Sequence, residues 1–246
     1  MIDTQPLADK VVLVTGASRG IGYFAAREIA RRGAHVIAVA RTVGGLEDLD
    51  DEIRAAGGAA TLVPLALRDF VEIDRLGAAI FERWGRLDGL VGNAGMLGPL
   101  TPLAHLDPKD FDKLMALNVT ANYRLIRSFD LPLRKSAARR AVFLTSGVVT
   151  RAQAYWAPYT AAKSALEALV KVWAVEMAST PVRANLFNPG PLRTALRASG
   201  WPGEDPDTLQ PPETAAAPIA DMLAPGYVQN GAHFNLPTGE TRSLIG

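Results

Sequence analysis

Short uninterrupted apolar runs alternate with amphipathic stretches along almost the whole chain. That is the pattern of βαβ units whose parallel strands are covered on both faces. Val11-Val12-Leu13-Val14 reads as a buried strand, and Ile21, Phe24, Ala25 and Ile29 follow at helical spacing through Arg32, with Gly33 as the stop. His35 to Ala40 is a second strand; Leu46, Leu49 and Ile53 mark a second helix ended by Gly57-Gly58. Thr61 to Leu65 predicts a third strand, Ile73, Leu76, Ile80 and Trp84 a third helix, and Leu87 to Val91 a fourth strand. Phe111, Leu114, Leu117 and Leu125 predict one long helix over about 108–136, leading to a fifth strand at Ala141 to Thr145. Another helix is expected from about Tyr159 to Ala178, and strands at Arg183 to Phe187 and Ala232 to Leu236 complete a seven-stranded parallel sheet. The Pro- and Gly-rich segment 189–212 between them is long and irregular enough to serve as an active-site lid. With no internal repeat and no linker, residues 1–246 are expected to form one doubly wound α/β domain.

Composition narrows the function. A chain of 246 residues, 48% apolar and 21% charged, is globular and not disordered. Lys+Arg 26 against Asp+Glu 25 leaves a net charge of +1 with the basic residues scattered, so neither nucleic acid nor an anionic membrane is expected as partner. A small molecule is. The absence of cysteine removes disulfides, cysteine-ligated metals and a thiol nucleophile together, and suits a reducing cytoplasm. His35, His105 and His233 lack metal-ligand spacing and are expected to be structural or surface residues, so no metal is expected. Residues Met1 to Pro6 show no basic segment followed by an apolar one, so no signal peptide is read there, and Gly89 to Leu106, though free of charge except at its His105, is broken by Gly, Pro and Asn93 and does not suit a membrane helix.

The first strand runs straight into Thr15-Gly16-Ala17-Ser18-Arg19-Gly20-Ile21-Gly22 and then a helix. Glycines there permit a tight turn and close approach of backbone to a pyrophosphate, while the helix N-terminus offers free N–H groups and positive dipole. Alone, such glycines make only a turn; the strand–turn–helix context carries the signal.

This turn resembles that of the short-chain dehydrogenase/reductase family, where Thr-Gly-x3-Gly-x-Gly binds NAD(P) on a Rossmann fold, and the likeness extends over about residues 8–240. Gly92-Asn93-Ala94-Gly95 stands where the family usually has Asn-Asn-Ala-Gly beside the adenosine; Gly92 replaces the first Asn. Pro189-Gly190 follows the sixth strand, with Leu192 and Thr194 just beyond. The resemblance thus implies cofactor contacts from Gly16, Ser18, Arg19, Gly20, Ile21, Gly22, Arg41, Asn93, Ala94, Gly95, Tyr159, Lys163, Pro189, Gly190, Leu192 and Thr194. One departure concerns adenine: the family commonly places an Asp after the third strand, where this chain has Ala66, leaving Asp69 or the backbone to serve.

Tyr159-Thr160-Ala161-Ala162-Lys163 puts a phenol and an ammonium on one helix face, and Ser146 ends the preceding strand at the sheet edge where ligands bind. With Asn118 these residues match the family's catalytic tetrad. Hydride transfer to a ketone develops alkoxide character that needs a positioned proton donor. The resemblance implies Tyr159 as general acid/base, Ser146 as the group that orients the carbonyl, Lys163 as ribose contact that lowers the Tyr159 pKa, and Asn118 as holder of a relay water. Met96, Leu97, Val148, Trp156 and Trp201, with Ser146 and Tyr159, are expected to line a largely apolar substrate pocket. Tyr155, followed four residues on by Tyr159 and not by Lys, is assigned with Trp156 to the pocket or its rim.

The expected activity is NADP(H)-dependent interconversion of a carbonyl and a secondary alcohol. NADP is expected over NAD because no Asp or Glu occurs from Ile29 to Leu46, while Arg41 follows the second strand and Arg19 projects from the turn. A 3-oxoacyl thioester reductase acting on an acyl carrier protein or CoA is the alternative, with Arg193 and Arg197 as a basic patch. Enoyl reduction fits less well because Leu166 stands where that relative's Lys falls. A non-catalytic nicotinamide-sensing module would have no use for the tetrad. A second apolar stripe on the Tyr159 helix, Ala161, Ala165, Ala168, Val172 and Val175, predicts a homodimer or homotetramer.

Overall fold

Along β1 (Val11–Thr15) the side chains of Val12 and Val14 enter one hydrophobic cluster, and those of Val11 and Leu13 enter another on the opposite face. A strand buried on both sides has no polar alternation to show, which is why it reads as a continuous apolar run. In this computed structural model, which describes residues 5–245, the same rule builds the rest of the sheet. Residues 1–4, where the absence of a leader was read, lie outside the described residues.

The elements follow as α1 (Gly20–Arg31), β2 (His35–Ala40), α2 (Val43–Ala55), β3 (Ala59–Pro64), α3 (Phe70–Trp84) and β4 (Gly89–Gly92). Then come α4 (Pro108–Met115), a π-helical turn (Ala116–Thr120), α5 (Ala121–Arg134), β5 (Arg140–Leu144), α6 (Ala157–Glu176) and β6 (Arg183–Asn188). The chain ends with α7 (Ala195–Gly200), α8 (Ala216–Leu223), β7 (Ala232–Asn235) and β8 (Glu240–Ser243). The strand order is β3-β2-β1-β4-β5-β6-β7-β8, parallel except for the last pair. Helices α1, α2 and α8 cover one face through residues such as Ile29, Leu49 and Ile219; α3, α5 and α6 cover the other through Ile80, Phe129 and Leu166. The sheet order reverses between β1 and β4, so the crevice for a ligand opens at their C-terminal ends.

Three features differ from the sequence reading. The sheet has eight strands and not seven: β8 pairs antiparallel with β7, and all four of its residues, Glu-Thr-Arg-Ser, are exposed, so no apolar pattern announces it. Polar residues are what an edge strand carries. The long helix of 108–136 is interrupted by the π-helical turn, which re-aims its side chains at Asn118 without any compositional mark. Segment 189–212 is partly ordered by α7 and by a bridge between Leu192 and Gln210, and α8, which the reading lacked, packs its Ala216, Ile219, Ala220 and Leu223 into the core. Among the described residues no helix is long and apolar enough to cross a membrane.

Candidate active site

The site begins where β1 and β4 end. Thr15 donates its hydroxyl to the Val91 carbonyl (3.1 Å) and accepts from the N–H groups of Asn93 (3.0 Å) and Ala94 (3.1 Å). Asn93 Nδ2 in return donates to the Thr15 carbonyl at 2.8 Å. Adjacent strand ends are thereby locked, and the glycine turn is held in place over them. Gly16 adopts φ 68°, and a Cβ on Gly22 would stand 2.4 Å from the Gly16 carbonyl oxygen, so Gly22 serves the packing of the turn from beneath and not the cleft wall. Gly92, which replaces the family's Asn, has Phe143 where its Cβ would project, 2.3 Å away. Arg19, at the N-cap of α1, makes no side-chain cap, so the first-turn N–H groups face the cleft as an anion cradle.

From this cradle a cleft of about 1520 Å³ runs across the sheet edge to Tyr159. The structure brings Gly16, Ser18, Arg19, Gly20, Ile21, Arg41, Asn93, Ala94, Gly95, Pro189, Gly190, Leu192 and Thr194 to its wall, and likewise Met96, Leu97, Ser146, Val148, Trp156, Tyr159, Lys163 and Trp201. Gly22 and Asn118 stand behind it. No carboxylate lines the cleft among the described residues, whereas Arg68, Lys113 and Arg151, which the sequence reading did not single out, do. Asp69 caps α3, accepting from the Glu72 N–H at 3.3 Å, and it is Leu65 and Leu67, not Asp69, that line the cleft on either side of Ala66. Tyr155 also falls outside the cleft, exposed to solvent.

At the far end, the last residues of β5 and the loop beyond meet the first turns of α6. Lys163 is buried and donates Nζ to the Leu144 carbonyl at 2.7 Å. Burial pulls its pKa down to about 8, opposed by the negative charge of Glu167. Tyr159 is equally buried; desolvation pushes its phenol up to about 12, against a smaller lowering by the hydrogen bond from Ser146. Burial is thus the dominant influence on the Tyr159 phenol, and the Lys163 nitrogen lies 5.8 Å from its ring centroid. Asn118 is fully buried, both ends of its amide bond to the Met96 backbone, and its main-chain carbonyl accepts from Asn122 Nδ2 at 2.8 Å.

The apolar end of the cleft is closed by an aromatic stack. Trp201 packs on Trp156 at 4.3 Å between centroids, Trp156 meets Tyr159 edge-on at 5.9 Å, and the Arg197 guanidinium lies 3.5 Å over Trp201. A Cβ on Gly200 would stand 2.8 Å from Trp156, so glycine lets α7 approach this ring. Arg197 also pairs with Glu204 (2.6 Å) and Arg193 with Asp207 (3.1 Å).

A family profile described as short chain dehydrogenase matches residues 10–205. The chain is 37% identical to the uncharacterized oxidoreductase YciK of Escherichia coli K12 over 209 residues, 84% of this chain and 82% of that one. A short-chain dehydrogenase of Shigella flexneri 2a, solved with NADP, superposes with TM-score 0.90 at 34% identity, covering 95% of this chain and 99% of the other. One of Escherichia coli CFT073, solved with NADPH, gives TM-score 0.88 at 34% identity over 95% and 98%.

Proposed function

The chain belongs to the short-chain dehydrogenase family, and we propose that it transfers a hydride between NADP(H) and a carbonyl/secondary-alcohol pair, with Tyr159 as general acid/base. The observation that carries this reading is the convergence of Ser146, Tyr159 and Lys163 at one end of a cleft whose other end holds the glycine turn, Arg19 and Arg41. The residues fit the cofactor: the uncapped first turn of α1 suits a pyrophosphate, and Arg41 with Arg19, in a wall free of carboxylates among the described residues, suits a 2′-phosphate. When bound, the nicotinamide supplies or accepts the hydride.

In reduction, Ser146 donates to the carbonyl oxygen and holds it beside the phenol. Tyr159, protonated at neutral pH because burial keeps its pKa high, gives its proton to the developing alkoxide. Lys163 stabilises the resulting phenolate by its charge. Met96, Leu97, Val148, Trp156 and Trp201 exclude water and favour an apolar substrate flank. Segment 189–212 acts as the lid over that flank within a single domain. The pairing of Arg193 and Arg197 inside this segment favours a free small molecule over an acyl carrier substrate.

The enzyme works as a homodimer or homotetramer: the outward stripe of α6 leaves Val172 57% and Val175 54% exposed, with Ala161 and Ala168 beside them. Its cysteine-free chain suits the cytoplasm. The test is NADPH consumption over a panel of ketones and aldehydes, with Tyr159→Phe alongside. Tyr159→Phe is expected to abolish turnover and to keep NADPH affinity within about twofold, since no phosphate contact changes. Near-normal turnover by that variant overturns the assignment.

A further inference from the structure

The end of β5 and the loop after it are tied to three successive turns of α6: Ser146 to Tyr159, the Leu144 carbonyl to Lys163, and Thr145 Oγ1 to Glu167 Oε1 at 2.5 Å. The third tie has no part in the reaction described above, yet it fixes a carboxylate one helical turn from the buried ammonium. We propose that Glu167 is a positioning residue of this site, whose negative charge, anchored through Thr145, keeps Lys163 protonated beside Tyr159.

A buried ammonium without a partner of opposite charge loses its proton. Lys163 has none in direct contact: its bond goes to the uncharged Leu144 carbonyl, and a Cβ on Gly95 would stand 3.8 Å from its nitrogen. Glu167 is the carboxylate that acts on it, and the attraction opposes the effect of burial. The remaining groups around Glu167 leave that charge available. On β7, His233 Nε2 lies 3.9 Å away, and its pKa is lowered chiefly by burial, so the ring is neutral at pH 7. On β8, Arg242 and Glu240 face it across a small cavity of about 200 Å³. Glu167 itself touches neither the catalytic phenol nor the cleft wall, which is why it acts through Lys163.

The inference rests on the reading of Lys163 as partner of Tyr159, but its test needs neither cofactor nor substrate, so it fails separately from the Tyr159→Phe experiment. The chain contains six lysines, and with 13Cε-labelled lysine the resonance of Lys163 is assigned by its loss in Lys163→Arg. Titrated by NMR in the whole protein, Lys163 is expected to show a midpoint near 8. In Glu167→Gln, which can still accept from Thr145, the midpoint is expected to fall by about one pH unit, roughly tenfold in proton affinity. Thr145→Val, which removes the tie and keeps the charge, is expected to move it less. Glu167→Met serves if the glutamine variant does not fold. A midpoint within 0.2 pH units (about 1.6-fold) of wild type in a folded Glu167 variant, or a larger shift in Thr145→Val than in Glu167→Gln, overturns the proposal.

Discussion

Asn118 holds Met96 by both ends of its amide: Nδ2 donates to the Met96 carbonyl at 2.8 Å, and Oδ1 accepts from the Met96 N–H at 2.9 Å. The π-helical turn makes this possible, because it swings Asn118 away from the helix surface toward the loop that follows β4. A residue that the family likeness assigns to proton traffic thus fixes Met96 in the wall of the cleft.

Replacing Asn118 with Leu leaves two half-buried backbone groups of Met96 without their side-chain partner. The expected loss of stability is on the order of 2–4 kcal/mol, read from the urea midpoint. A loss below about 0.5 kcal/mol would show that the loop finds other partners.

Lys163 carries a pH signature of the fold. Its pKa is depressed to about 8 in the folded chain, against an unfolded value of about 10.5, so between these values the unfolded state binds more protons. Wild-type stability therefore bears a cost below pH 8 that is relieved as pH rises toward 10.5. Lys163→Met should be the more stable protein at pH 7, by on the order of 2 kcal/mol, with the difference shrinking above pH 8. A difference that is flat or grows with pH contradicts the depressed pKa. Tyr159 adds the opposite slope only between about 10 and 12, where the folded state retains its proton longer.

Arg41 follows β2 directly and reaches the cleft with an exposed guanidinium. Arg41→Ala is expected to raise KM for NADPH by about ten- to a hundredfold and to leave NADH nearly unchanged, since a charge-assisted contact to the 2′-phosphate is lost. Equal losses for both cofactors would place the 2′-phosphate elsewhere.

Val172 and Val175 are exposed on one face of α6, the face proposed for self-association. Val172→Glu together with Val175→Glu should shift sedimentation at micromolar concentration from dimer or tetramer to monomer, because two carboxylates cannot be desolvated in a self-complementary contact. A wild type that sediments as monomer refutes the assembly itself.

What could be read without the structure follows from local rules. Buried parallel strands show themselves as apolar runs, so β2 agrees residue for residue with its reading and β1 and β6 to within one residue. Glycine spacing betrays the phosphate turn, and the step from Tyr159 to Lys163 is one helical turn. Where no local pattern exists, nothing was legible. Strand β8 is polar because it lies at an edge, and α8 follows a Pro-Pro pair with an alanine-rich stretch whose burial depends on α1.

The sequence by itself determined the alternation of strands and helices, the family likeness and the identity of the groups at the site, since these depend on residue type and spacing. Tertiary structure alone decided what those groups experience. That the Asn118 amide meets Met96 depends on a turn of the helix, and that Asp69 caps α3 depends on where the chain bends. The ionisation of Tyr159 and Lys163 depends on burial and on groups brought together by β5 and α6, and desolvation is a property of the packed volume that no stretch of sequence carries.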